Sequence, residues 1–242
     1  MPFTPSHAAA VLPFLRTPLP ASALVIGSVT PDLPFYLPIG FPWATHTAVA
    51  VVTTDLALGL VAWAVWHGLL ARPALAAAPA ALRGRIPGPA PGLRARLAPA
   101  TRVGWTLLAL AVGAGTHVLW DEFTHPRRWG PEHLPALRET WAGLPAYSWL
   151  QYGTSVLGCV VLLVWFGRWW RRTAHRPDVR RPGVRWAWLL LAAVATTVGI
   201  AAAVGEPDLG AAIFAASTRG GGTALVVAAA LAAAWHVRHR GR

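Results

Sequence analysis

The 242-residue sequence has no lysine, one cysteine, one methionine and only nine acidic residues. With a single cysteine no disulfide framework can form, and Cys159, inside an apolar run, reads as a packing residue. Charged residues make up 12% of the chain, about half of the ~25% usual in soluble domains. That shortage argues against an ordinary soluble surface. A cleavable signal peptide is not expected. "MPFTPSHAAA" lacks a basic first region, and the apolar stretch after it is broken by Pro13, Arg16, Pro18 and Pro20.

What is present is apolar: 55% of residues are hydrophobic and the mean hydropathy is +0.47. Several runs approach or exceed the ~18–20 residues that cross a bilayer, with spans expected at about 47–71, 103–125, 150–167, 186–204 and 209–236. The fold class expected is all-α: a polytopic membrane helix bundle of about five spans plus an N-terminal re-entrant or kinked helical hairpin. The hairpin arises because "AAAVLPFL" and "ASALVIGSV" are each too short to cross alone and are separated by "RTPLP". Folded back, it returns His7 and Asp32 to one side of the membrane. The last span is interrupted by "STRGGG" at 217–222, so a break is expected there.

The net charge of +12 does not point to nucleic acid, because the arginines are bunched. Segment 72–102 holds six arginines and no acid, and reads as a flexible basic linker. Segment 168–185 holds seven arginines against Asp178, and the tail ends with Arg238, Arg240 and Arg242. Segments 120–149 and 205–208 hold most of the acids. By the positive-inside rule the Arg-rich loops and the C-terminus are cytoplasmic and face anionic headgroups. The chain is thus expected in the cytoplasmic membrane, with lipids as partners, no nucleic acid, and nothing to specify a protein partner. Two domains are expected: residues 1–150, a metal-site membrane domain that includes the linker, and 151–242, C-terminal transmembrane helices.

The polar residues then collect at one level. In "GAGTHVLWDEFTHP", His117, Asp121 and His125 repeat every four residues and so share a helix face. His46 opens the first span at the same outer end, Asp32 lies a short loop before it, and the hairpin adds His7. Ionisable groups near hydrocarbon are paired or functional. Neutral imidazoles with carboxylates suit Zn²⁺ or a similar divalent cation, which makes His7, Asp32, His46, His117, Asp121 and His125 the candidate metal ligands. Glu122 is the candidate catalytic base, its alternative being a solvated helix-end residue. His67, His133, His175, His236 and His239 read as ordinary satisfied histidines. Asp55, ~13 Å deeper than His46 at 1.5 Å per residue, is expected to form a buried pair with Arg16 at the hairpin tip.

The ordered motifs "SH", "GSVTPD", "THT" and "HVLWDEFTH" resemble those of the DUF4184 family of bacterial membrane proteins. That family is similar in turn to the membrane-bound metal-dependent hydrolases. A distant likeness joins zinc-dependent phospholipase C and the P1-type nucleases, which use His, Asp, His, His-x-x-x-Asp, His in this order. The resemblance implies one ion on Asp32, His46, His117 and Asp121, a second shared by Asp121 with His7, and a further one at His125. No His-x-x-x-Glu follows residue 125, which leaves one or two ions. It implies a metal-dependent hydrolase acting at the outer rim on a phosphate ester or lipid-like, amphipathic substrate. A non-catalytic membrane protein with a structural metal, or a transporter, is the alternative.

Overall fold

The computed structural model describes residues 4–37, 39–86, 92–176 and 186–239. Among them, five helices are long and apolar enough to cross a membrane: Thr54–Ala77, Ala100–His133, Ala146–Arg172, Trp186–Ala203 and Leu209–Arg238. The strands are confined to one small antiparallel ribbon, β1 (Thr140–Trp141) with β2 (Leu144–Pro145). The fold is the expected all-α bundle of spans. Residues 177–185 of the second basic loop, with Asp178, and Arg240 and Arg242 lie outside the described residues. The chain divides into two compact units: Met1–Leu33, Phe41–Trp63 and Leu97–Trp169 form one, and Pro34–Gly40, Ala64–Arg96 and Trp170–Arg242 the other.

The first unit begins with a hairpin. A 3-10 helix covers Thr4–Arg16, an exposed bend follows, and α1 (Ala21–Val29) returns. Pro18 and Pro20 force the bend, since proline disfavours helical geometry in the residue before it. The two ends meet: the Thr4 hydroxyl donates to Asp32 Oδ2 at 2.6 Å. The first span starts as α2 (Ala48–Val52), capped where Thr47 Oγ1 accepts from the Ala50 amide at 3.0 Å. It breaks at Thr53, where the backbone leaves helical geometry (φ −125, ψ −92), and resumes as α3 (Thr54–Val65). Asp55, Gly59 and Trp63, one turn apart, form the buried face of α3.

The longest scaffold of this unit is α4 (Ala100–Thr124), whose buried stripe runs Thr106, Leu110, Gly113, His117, Asp121 and Thr124. That 3–4 periodicity presents one face to its neighbours. Helix α1 crosses it where both backbones carry glycine. A Cβ on Gly27 would strike the Leu110 carbonyl, and one on Gly113 would strike the Leu24 carbonyl and sit 2.7 Å from the Ser28 nitrogen. Such small residues let helices approach to backbone contact. Helix α5 (Ala146–Arg172) completes the unit, burying Gln151, Ser155 and Gly158.

In the second unit, part of the segment expected as a flexible linker is ordered as the short helices Ala71–Ala77 and Ala80–Arg83. Its arginines explain why. Arg83 donates to the Ala78 carbonyl at 2.7 Å, and the Arg85 guanidinium lies 4.0 Å over the Trp170 ring. Helices α6 (Trp186–Ala203) and α7 (Leu209–Arg238) follow. The break expected at 217–222 does not occur, and α7 runs through it. The glycines serve close packing instead: a Cβ on Gly220 would lie 2.8 Å from the Ala195 carbonyl oxygen.

Candidate metal centre

Three separate segments deliver the four candidate ligands. The turn Thr30–Asp32 after α1 supplies Asp32, the loop before α2 supplies His46, and α4 supplies His117 and Asp121. One ligand atom from each of these four buried residues lies within 4.8 Å of every other, so the cluster could hold a metal ion. Nε2 of His46 is 3.0 Å from Asp32 Oδ1 and 3.6 Å from Asp121 Oδ2. Nε2 of His117 is 3.6 Å and 3.4 Å from the same two oxygens.

The other carboxylate oxygen of Asp121 faces a second pair. Oδ1 is 3.8 Å from His7 Nε2 and 3.4 Å from His125 Nδ1. His7 stacks on His117, ring centroids 3.8 Å apart. All six sequence-derived ligands therefore meet around Asp121, although only four form the tight cluster.

Partners outside the cluster orient these side chains. His117 Nδ1 donates to the Ser28 carbonyl at 2.8 Å. A carbonyl only accepts, so the proton is on Nδ1 and Nε2 is turned to the carboxylates. The Thr45 hydroxyl meets His46 Nδ1 at 2.9 Å, and the Gln151 amide meets His125 Nε2 at 2.9 Å. Burial pushes the His7 imidazole down to about 4, and the neighbouring His117 acts in the same direction. Burial alone would push the Asp32 carboxyl up. The His117 and His46 imidazoles and the Thr4 hydroxyl outweigh it and hold the group well below the usual carboxylate range.

The donor set passes a specific test. His7 Nδ1 and Nε2, His117 Nε2 and Asp121 Oδ1 are buried without a hydrogen-bond partner. Buried polar atoms are normally paired, and cations on the two sides of Asp121 would satisfy His117 Nε2 on one and His7 Nε2 with Asp121 Oδ1 on the other. Mixed imidazole and carboxylate donors suit a divalent transition-metal cation.

One expectation is corrected. Arg16 is exposed, while both oxygens of Asp55 are buried and in no hydrogen bond of good geometry, so that pair is not formed. The span breaks at Thr53, and Asp55, just after the break, has His46 and His117 as its electrostatic neighbours rather than Arg16. Glu122, the candidate base, lies at the helix end, where Oε2 accepts the Trp129 amide at 2.8 Å and Oε1 lies 3.4 Å from Arg128 Nη1. Of the histidines set aside, His133, His236 and His239 each donate to a backbone carbonyl.

Sequence reasoning missed Thr4, Ser28, Thr45 and Gln151, which hold the ligands rather than bind. Thr45 was visible as the neighbour of His46 in "ATHT", and Ser28 lay within "GSVTPD". No local signal joins Gln151 to His125.

No curated protein and no solved structure matches the chain. The likeness to the hydrolases rests on motif order alone. The family described as Domain of unknown function (DUF4184) matches residues 1–235, and the chain belongs to that family.

Proposed function

We propose that the chain is a cytoplasmic-membrane protein with a divalent-cation centre, zinc by its donor set, at the extracytoplasmic rim. The loaded centre would hydrolyse a phosphate ester or lipid-like substrate. The observation that carries the reading is the convergence of buried, unpartnered donor atoms on His7, His117 and Asp121 beside the Asp32–His46 pair. Each unpaired buried group costs about 1–3 kcal/mol, and cations on the two sides of Asp121 remove several such penalties together.

A divalent cation supplies Lewis-acid polarisation of the scissile oxygen and acidifies water from a pKa of ~15.7 toward ~7. Asp32, His46, His117 and Asp121 would hold it. Asp121 turns one oxygen to that group and the other to His7 and His125, which provides for one or two ions. Ser28 and Thr4 keep His117 and Asp32 aimed inward, as outer partners do in zinc sites. His125, with its side chain 22% exposed, is the most accessible of the pair facing Oδ1 and marks the side from which substrate would arrive. The placement of the arginine-rich loops supports the orientation, and the apolar surroundings favour an amphipathic substrate.

Elemental analysis of purified full-length protein, paired with hydrolysis of phosphate esters, tests the reading. Stoichiometric zinc that is lost in Asp121→Ala together with hydrolysis is expected. Wild-type protein free of metal after zinc reconstitution would overturn it. A second reading, a structural metal that staples helix ends, is favoured by the near-complete burial of Asp32, His117 and Asp121. That reading requires bound zinc, a closed four-ligand shell and no hydrolysis.

A further inference from the structure

Just past the end of α4, the chain turns in "HPRRWG" and places a cation three residues after His125, where the ligand set has none. We propose that Arg128, anchored by Glu122, is a positioning residue that clamps His46 in its ligand pose. The inference rests on the metal-centre reading.

Three observations on different parts of the first unit carry it. Arg128 Nη1 donates to the backbone carbonyl of His46 at 2.7 Å, across 82 residues of sequence. The same nitrogen lies 3.4 Å from Glu122 Oε1, and Glu122 Oε2 accepts the Trp129 amide at 2.8 Å. One carboxylate thus fixes both the guanidinium and the backbone beside it. His46 itself adopts φ 60, the left-handed region that residues with a Cβ seldom occupy.

That backbone conformation decides where the imidazole points. The residue after His46 is Thr47, the cap of α2, so the chain is pinned on its C-terminal side. The His46 carbonyl is pinned by Arg128. Between these two anchors the left-handed turn brings Nε2 to 3.0 Å from Asp32 Oδ1. Released from Arg128, the residue can relax to negative φ and swing the ring away from the carboxylates. A partly exposed ion pair such as Arg128–Glu122, with side chains 30% and 27% exposed, adds little stability by itself. Its consequence is geometric.

The test uses full-length protein in detergent. Zinc affinity, the visible spectrum of the cobalt-loaded form and the His46 imidazole NMR resonance of the metal-free form are measured for four proteins. These are wild type, Arg128→Ala, Arg128→Lys and Glu122→Gln. Outer partners of zinc ligands typically contribute 10–100-fold in affinity, so Arg128→Ala is expected to weaken zinc binding by about that factor. It should also change the cobalt spectrum and move the His46 resonance. Arg128→Lys, which keeps a donor, should recover most of each, and Glu122→Gln should fall between. Wild-type affinity, spectrum and His46 resonance in Arg128→Ala would overturn the clamp. A wild-type protein that takes up no cation would instead overturn the metal centre, and the His46 resonance in the metal-free variants would still decide the clamp. If Arg128→Ala does not fold, Arg128→Lys and Glu122→Gln provide the same comparison.

Discussion

The Nδ1 of His117 is bonded to the carbonyl of Ser28 at 2.8 Å, so the aim of one ligand is set by the crossing of α1 over α4. That crossing depends on Gly113, one turn before His117. A methyl group there would collide with the Leu24 carbonyl and lie 2.7 Å from the Ser28 nitrogen. Overpacking of this kind costs about 1–3 kcal/mol. Gly113→Ala is therefore expected to lower the thermal midpoint in detergent and to weaken zinc binding at the same time. Lowered stability with wild-type zinc affinity would show that the ligand does not depend on the crossing.

His7 provides a pH test on metal-free protein. Its pKa is near 4 in the folded chain against an ordinary 6.5, so between those values the unfolded chain binds the extra proton. The stability contributed is complete above pH 6.5 and is lost as the pH falls toward 4. A shift of that size corresponds to about 3 kcal/mol. Asp32, held below the usual carboxylate range, acts in the same direction at lower pH, where protonation of the unfolded carboxyl removes its contribution. Denaturant titrations across this range should show His7→Gln with a flatter pH dependence between 6.5 and 4 than wild type. Parallel curves for the two proteins would refute the assignment to His7.

Asp55 carries a carboxyl group buried in a span, with neither oxygen in a hydrogen bond of good geometry and with His46 and His117 as its electrostatic neighbours. Groups left so cost about 1–3 kcal/mol, more when charged. Asp55→Asn is expected to raise the thermal midpoint at neutral pH while zinc content stays stoichiometric. A destabilised or metal-poor variant would show that the carboxylate is required where it lies.

The parts of this architecture that were legible in the sequence are those set by local periodicity. Hydrophobic runs marked the five spans, and the four-residue spacing of His117, Asp121 and His125 put them on one helix face. Asp32 and His46 could be joined to that face because turns and span ends fixed their level. The remainder depended on quantities that a sequence does not display. Pairing Arg16 with Asp55 assumes an unbroken first span, whereas the break at Thr53 leaves Asp55 beside His46 and His117. "STRGGG" reads as a break when glycine is weighed by helix propensity. Within α7 the same glycines admit the Ala195 backbone, and packing outweighs propensity. Read from the sequence, Glu122 beside Asp121 stays open between a base and a solvated helix-end residue, because the turn that brings Arg128 and the Trp129 amide onto it lies beyond the helix end.

Asp32, His46 and His117 reside on three stretches of chain that share no helix, and the N-terminal hairpin contributes at both of its ends. The four polar groups of the cluster therefore come together only where the hairpin is docked against α4.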